Sequence, residues 1–481
     1  MSLIVCSNSA PKWEPGTGLL PRSPGGLVPL LVTLLSQGGD WLCTAPVSGP
    51  AAVPDPPAPG SPEATAPVTV TDLPGSVRMH QVRMPAPVLE QHYLDIGVRL
   101  MLWLFHYLLD TAREPVFDAS LADAWAGYQA VNQAYARHLA GLGPGDPADL
   151  ILINDYHLFL VPELLDRAGG RAGRLVFFHG LPWCEPDYFG ILPPAIRDAI
   201  LRSLLRCDVV GFHCGRWARA FAACCARFVP GCGAGDDYVE AGGHRTRLAV
   251  LPFPLDVDAV DRMRAEPATA AWQERLAELA GGRQVIARAD RIDLWKNLPR
   301  GFAAYERLLT RRPALARDWW FAAVATVPSR TTERSRALQR ECEAMVESLN
   351  ERFAAPGRPA VSLVYPDLPT TRHCVLAALS RASVTLTNPT WDGMNLVAKE
   401  ALYVAPQAPL LLSENAGAYE QLAPLVTRLQ PFDVTGTSAA LDLAMTGDIP
   451  ARGAAARALL RGQDATGWLA DLTGAQAGEP A

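Results

Sequence analysis

Two segments of the 481-residue chain carry residue types that can hold a diphosphate. The first, Asn388–Glu400, reads NPTWDGMNLVAKE and follows the apolar run Val384–Thr387. That order predicts a strand, a turn and a helix, and in open α/β sheets ligands bind beyond the carboxyl ends of strands. The backbone N–H groups of Met394, Asn395 and Leu396 would face outward at the helix N-terminus, where the helix dipole favours an anion. Glu400, further along the helix, can accept hydrogen bonds from ribose hydroxyls. The plainer alternative is an ordinary helix capped by Asp392. The second segment, Arg288–Asn297, reads RADRIDLWKN and again follows an apolar run. Arg291 and Lys296 on one loop supply two fixed cations suited to a leaving diphosphate. The plainer alternative is a surface loop of ion pairs closed by Asp290 and Asp293.

Two further segments offer polar groups for a sugar. Asn154-Asp155-Tyr156-His157 follows the run Asp149–Asn154, and His179 ends the run Arg174–Phe178. A lone histidine in an apolar run is more often a satisfied core residue. Polar groups at two neighbouring strand ends favour a sugar site instead, because both can reach one cleft.

The elements that must position these residues alternate. Leu3–Cys6 reads as a first strand, followed by a Pro/Gly-rich loop ending in Pro24-Gly25-Gly26 and a helix over Leu27–Leu35. Residues 45–67 are almost entirely Ala, Pro, Gly, Ser, Val and acidic residues, which predicts a surface insertion. Val88–Leu142 has helical patterning. The runs at 149–154, 174–178, 208–212 and 247–254 read as strands of a parallel sheet covered on both faces. A charged helical stretch over 255–280 separates them from a second series at 284–287, 320–325, 361–364, 384–387 and 409–412. The expectation is an α/β chain with two Rossmann-like domains, 1–255 and 256–453. A C-terminal helix over about 454–472 would pack back on the first domain.

Composition narrows the function classes. Hydrophobic residues make up 49 %, enough for sizeable cores. The net charge is −6, which disfavours general nucleic-acid binding, since that requires neutralising phosphates. Ten cysteines are scattered without a CxxC pair. Cys207, Cys214, Cys224, Cys225 and Cys232 cluster, but no ligand spacing for zinc accompanies them, so no metal site is expected. The N-terminus lacks a basic n-region, so a secretory signal is not expected. Gly97–Leu109, broken by Arg99 and His106, is too short to span a bilayer. A cytoplasmic protein without membrane or nucleic-acid partners is expected.

The motifs DYH, FFHxLP, RADRIDxxK, VPSR and DGMNLVAKE stand in one order along the chain. That set resembles the trehalose-6-phosphate synthase family, glycosyltransferase family 20, whose members are retaining enzymes with two Rossmann-like domains facing a cleft (GT-B). The likeness runs from Leu3 to about Leu472. It implies a nucleotide-sugar donor such as UDP- or GDP-glucose, a sugar-phosphate-like acceptor, and no metal cofactor. By the same likeness Gly25 and Gly26 approach the donor diphosphate, and Arg291 and Lys296 are its cations. Asp392, Gly393, Met394, Asn395, Leu396 and Val397 form the donor-sugar and diphosphate loop. Glu400 holds the ribose and Leu368 falls at the nucleobase pocket. Asp155 and His179 contact the sugars beside the reacting carbon. Arg330 grips the acceptor phosphate and Trp103 is an acceptor-side aromatic.

The departures from that pattern fall on the acceptor side. Ser7-Asn8-Ser9 stands where the family has Ser-Asn-Arg, leaving Lys12 or Arg22 as substitutes for the arginine. Trp41–Thr44 is a reduced form of an aromatic stretch. Leu94, beside Tyr93, takes a tyrosine position. Asn154 replaces a histidine, and Gly-Leu-Pro-Trp follows His179 in place of Ile-Pro-Phe-Pro. The donor side is nearly intact. The acceptor therefore stays open among glucose 6-phosphate, a glycerol phosphate, and an aminocyclitol phosphate as used by validoxylamine-type pseudo-glycosyltransferases. Met394 and Lys399 favour a true sugar donor over a cyclitol. A non-catalytic regulator that binds sugar phosphate is the reading from another class. Both a monomer and a homo-oligomer fit the sequence.

Overall fold

The computed structural model describes residues 2–9, 12–14, 18–20, 27–35, 38–46, 68–70, 77–142, 145–146, 149–169, 173–327, 332–447 and 452–474. The chain forms two compact units, Met1–Leu251 with Ala465–Ala481, and Pro252–Asp464. The first division falls at Leu251/Pro252 rather than after 255. Its physical reason is Phe253, whose carbonyl accepts a 2.6 Å hydrogen bond from Lys399 of the second unit's own helix.

In the first unit the strands are β1 (Leu3–Cys6), β2 (Lys12–Glu14), β3 (Gly18–Leu20), β4 (Gly39–Pro46), β5 (Val68–Val70), β6 (Val77–Met84), β7 (Leu150–Asn154), β8 (Arg174–His179), β9 (Val209–Phe212), β10 (Gly233–Ala234), β11 (Tyr238–Ala241) and β12 (His244–Val250). The strands β2 and β3 pair with each other. The remaining ten form one sheet in the order β10-β11-β12-β9-β8-β7-β1-β4-β6-β5. Its centre is parallel, and β7 and β9 are buried at every position, as expected for strands with helices on both faces. Successive strands leave β1 first through β4 and then, on its other side, through β7. The carboxyl ends of β1 and β7 are therefore the switch point where an open sheet leaves room for a ligand.

Strands β4 and β6 were hidden in the sequence by polar residues. Asp40 in β4 is buried and receives both Nε and Nη2 of Arg78 in β6 (2.9 and 2.6 Å) and lies 2.6 Å from His80 Nε2. Burial works against the ionised carboxyl, but His80 and Arg78 outweigh it and hold Asp40 below its ordinary pKa. These groups satisfy one another, so the strands tolerate them. Strand β4 also runs to Pro46, which moves the start of the expected insertion. Residues 47–67 lie outside the described residues. The helical region is continuous from Ala86 to Phe105, with wide turns over Gln91–Leu102, and resumes over Ala119–Gly141.

The second unit has β13 (Gln284–Arg291), β14 (Trp319–Thr326), β15 (Val361–Val364), β16 (Val384–Thr387), β17 (Leu410–Ser413) and β18 (Thr427–Leu429). All are parallel, in the order β15-β14-β13-β16-β17-β18. Trp320, Leu276, Leu402 and Leu412 fill the core on one face. Phe302, Tyr305, Phe321 and Leu411 fill it on the other. The switch point is between β13 and β16. Among the described residues no helix is long and apolar enough to cross a membrane.

The tail expected as one helix is two. Gly453–Arg461 belongs to the second unit, where Arg457 Nε donates to the Tyr403 carbonyl at 2.7 Å. Gly462 follows its last turn, a residue with low helix propensity. Ala465–Thr473 belongs to the first unit. There Trp468 is buried against Phe178, 5.0 Å between ring centres, and its Nε1 donates to the Leu251 carbonyl at 3.3 Å. Arg247 Nη2 donates to the Asp471 carbonyl at 2.9 Å, placing a cation at the helix C-terminus. Trp468→Ala is expected to destabilise the first unit by about 3–5 kcal/mol, the usual loss for a buried tryptophan. Urea unfolding followed by circular dichroism checks it.

Candidate functional site

In the second unit the two predicted diphosphate segments meet at the switch point. The Lys296 side chain, mostly buried, donates from Nζ to Asp392 Oδ2 at 2.6 Å and lies 3.8 Å from Asp290 Oδ1. Asn395 has a left-handed backbone (φ 72°), and its Oδ1 accepts from the Ala398 N–H at 3.1 Å. It is therefore the cap of the helix Leu396–Val404, where the plainer alternative had placed Asp392. Asp392 instead accepts from Lys296 and, at 3.0 Å, from Asn395 Nδ2. Gly393 and Met394 are buried in the turn, while Leu396 and Val397 are half-buried at the helix start.

Charge in this cluster is nearly balanced. Arg291, 47 % exposed at its side chain, pairs with Asp293 at 2.7 Å. Asp290 is buried, and burial pushes its carboxyl pKa up despite Arg288 and Lys296 beside it. An anion reaching Lys296 must compete with Asp392 and Asp290 for the ammonium. The structure thus displays the ion pairs of the plainer reading: carboxylates hold both cations.

Glu400 is buried, and its Oε1 meets Arg372 Nη1 at 2.5 Å while Oε2 has no partner. Arg372 stands in the first turn of Thr371–Ser380, just after the turn Leu368–Thr370, where Leu368 is 73 % exposed. Lys399 is fully buried, and burial pushes its ammonium down to about 7.

In the first unit Asp155 directly follows β7 with φ 72° and ψ 170°, a region that non-glycine residues rarely occupy. The strain brings its Oδ1 to the N–H groups of Tyr156 (3.0 Å) and Gly180 (3.2 Å). Burial nonetheless pushes the carboxyl up to about 7, although its side chain keeps 22 % exposure. His179 ends β8 and is wholly buried, with Nδ1 3.7 Å from Asp155 Oδ1. Its Nε2 faces the Pro182 carbonyl at 3.3 Å; a carbonyl only accepts, so Nε2 carries the proton. Burial pushes His179 down to about 3, so it is neutral at physiological pH. Trp103 is buried at the end of the helical region, and neighbouring Phe105 packs edge-on to His179 at 4.7 Å.

The loop after β1 is tied inward. Ser7 Oγ accepts from Trp41 Nε1 at 2.8 Å and donates to the Ser9 carbonyl at 2.9 Å. His92 Nε2 lies 3.1 Å from Asn8 Oδ1, and Tyr93 stacks on His157. Gly25, Gly26 and Arg330 lie outside the described residues, as does Arg22, and of the Lys12 side chain nothing is described.

Sequence reasoning missed Arg372, which sits in an unremarkable helix and gave no signal. It also passed over Arg288 as a participant, although a charged residue inside Ile286–Ala289 was the available clue. Among the described residues no three His, Cys, Asp or Glu side chains group so as to hold a metal ion.

Asp155 yields a prediction with a definite sign. Its folded pKa of about 7 lies above the ordinary 3.8, so its stabilising contribution is complete below pH about 4 and is lost as pH rises through 7. Asp155→Asn should therefore be more stable than the parent at pH 8, by about 1–3 kcal/mol once partial exposure is discounted. Asn also tolerates positive φ better than most residues. Thermal melts at pH 4 and pH 8 read this directly: the gain must appear only at the higher pH.

The geometry can be set beside known proteins. The profile of glycosyltransferase family 20 matches residues 22–468. The chain is 33 % identical over 363 residues to a bifunctional trehalose-6-phosphate synthase/phosphatase of Thermoproteus tenax, covering 72 % of this chain and 47 % of that one. It is 29 % identical over 371 residues to a UDP-forming α,α-trehalose-phosphate synthase of Botryotinia fuckeliana, covering 75 % and 68 %. The chain spans less than half the length of several curated relatives it matches. Among solved structures, a UDP-forming α,α-trehalose-phosphate synthase from Burkholderia vietnamiensis superposes with a TM-score of 0.82 at 27 % identity, covering 98 % of each chain. A trehalose-6-phosphate structure from E. coli bound with UDP-2-fluoro glucose gives 0.82 at 25 % identity, covering 98 % of this chain and 99 % of that one. With two parallel α/β units of GT-B type and a family profile over nearly its whole length, the chain belongs to glycosyltransferase family 20.

Proposed function

We propose that this chain is a retaining glycosyltransferase that moves a glucosyl unit from UDP- or GDP-glucose to a phosphorylated acceptor, as a trehalose-6-phosphate synthase does. The observation that carries the reading is the meeting of Lys296 and Asp392 at the switch point of the second unit, at the start of the helix that bears Glu400. Lys296 and Arg291 exchange their carboxylate partners for the donor diphosphate. Glu400 takes the ribose hydroxyls, and the residues around Leu368 take the nucleobase. In the first unit Asp155 and His179 orient the sugars, with Trp103 on the acceptor; Arg330, of the second unit's stretch of chain, takes the acceptor phosphate.

The reaction runs on one face of the donor sugar through an oxocarbenium-like state. The bond from the anomeric carbon to the diphosphate oxygen breaks as the acceptor oxygen bonds to that carbon. The departing phosphate oxygen takes the acceptor's proton. Charge developing on the diphosphate is met by fixed cations and helix-end N–H groups, so this route calls for no metal. His179, neutral with Nε2–H turned to Pro182, stands behind Asp155 with Nδ1 3.7 Å from Asp155 Oδ1, so that Asp155 is the group of the two that meets the sugar.

Ser9 at an arginine position of the family supports a second reading of the acceptor. With the loop Ser7–Ser9 bonded inward, an acceptor other than glucose 6-phosphate, such as an aminocyclitol phosphate, fits the altered side.

The test is incubation of the purified chain with UDP- and GDP-glucose against a panel of phosphorylated acceptors, read by mass spectrometry. A phosphorylated disaccharide or glycoside is expected. Nucleotide binding without any transfer would overturn the reading in favour of a regulator. Lys296→Ala should lower turnover by about 10²–10³, the scale for losing one preorganised charge-stabilising donor. If ionised Asp155 accepts from the acceptor's hydroxyls, kcat/KM for acceptor rises as pH passes about 7, and Asp155→Asn abolishes that limb.

A further inference from the structure

We infer that Arg288 is a positioning residue of this site: its buried guanidinium fixes where Lys296 stands, and Gly301 is glycine to make room for it. The inference rests on the reading that Lys296 receives the donor diphosphate. Arg288 lies within β13, and its side chain is 1 % exposed. Its Nε donates to Asp290 Oδ2 at 2.9 Å and its Nη1 to Asn388 Oδ1 at 2.5 Å. Its Nη2 donates to the carbonyl of Lys296 itself. One planar group thereby joins the end of β13, the turn Leu294–Lys296 and the loop after β16. Those are the elements that carry Lys296 and Asp392.

A lysine could not replace this fork, because a single ammonium cannot serve three acceptors spread in one plane. Removing the guanidinium would leave the Lys296 carbonyl and the Asp290 carboxylate buried without it. Asn388 depends on it too, since its Nδ2 is buried and unpartnered and only Oδ1 is used by Arg288.

Gly301 supplies the independent observation. It lies in the first turns of the helix Leu298–Arg311, where glycine weakens a helix. A Cβ there would stand 2.5 Å from Arg288 Nη1 and 3.5 Å from Asn388 Oδ1. The glycine is therefore explained by the space the guanidinium needs. The Arg288 side chain is 1 % exposed, so its effect on the site passes through the groups it holds, the Lys296 carbonyl among them.

The experiment compares Arg288→Met, Gly301→Ala, the double variant Arg288→Met/Gly301→Ala, Arg288→Lys and Lys296→Ala. Melting temperature, UDP affinity by calorimetry, and KM for UDP-glucose and glucose 6-phosphate are measured on each. Arg288→Met and Gly301→Ala should each lower turnover about 100-fold and raise the UDP-glucose KM about tenfold, the scale of a misplaced charge-stabilising group. The KM for glucose 6-phosphate should not move. In the double variant the alanine methyl enters vacated space, so the melting temperature recovers while the donor KM stays raised. A merely structural arginine would restore both together. Should Arg288→Met not fold, Arg288→Lys carries the comparison, with a donor KM raised at near-parent melting temperature. A double variant that is stable and has the parent's donor KM overturns the role of Arg288. A parental donor KM in Lys296→Ala overturns the diphosphate reading itself and this inference with it.

Discussion

A lysine held 2.6 Å from an aspartate on the neighbouring strand end is the contact around which the second unit's charged cluster is built. It exists because β13 and β16 are adjacent although distant in sequence, so the loops after them converge. The pair alone would be weak in water. Here Asp290 and Arg288 stand behind it in a buried setting, where electrostatic interactions are stronger and an unpartnered charge is costly. The cluster is consequently paired within itself before any ligand arrives. A preorganised cation is worth more to a developing charge than one that must be recruited.

The first unit reaches preorganisation by a different route. Asp155 is held in a strained backbone conformation and in an environment that disfavours its charge. Both features reduce stability, and both keep the carboxyl aimed at the end of the sheet. Strain and a perturbed pKa on one residue at a switch point are the marks of a site rather than of a core. His179 beside it is the complement: buried, neutral, its tautomer set by the Pro182 carbonyl.

What was legible in the sequence follows from this physics. The parallel strands β7, β9 and β17 were readable because burial on both faces demands largely unbroken apolar runs. The strands β4 and β6 were not, because Asp40, Arg78 and His80 broke the pattern while satisfying one another across strands. The chemistry-bearing loops were visible as types and spacing, but their partners were not. Nothing local in Thr371–Ser380 announces that Arg372 meets Glu400 at 2.5 Å. The capping role of Asn395, in place of Asp392, depends on a left-handed backbone that only the folded turn reveals. The break at Gly462 was a single residue in an Ala-rich stretch, and the two helices around it belong to different units.

That last feature bears on how the molecule is made. The second unit is one continuous stretch, Pro252–Asp464, and is synthesised before Trp468. The first unit begins earlier but finishes later: its sheet must await Trp468 and the helix that Arg247 holds, both of which follow the second unit along the chain. Domains fold as units while synthesis proceeds. A chain ending at Asp464 would thus carry a whole second unit and a first unit whose Phe178 lacks the tryptophan that covers it.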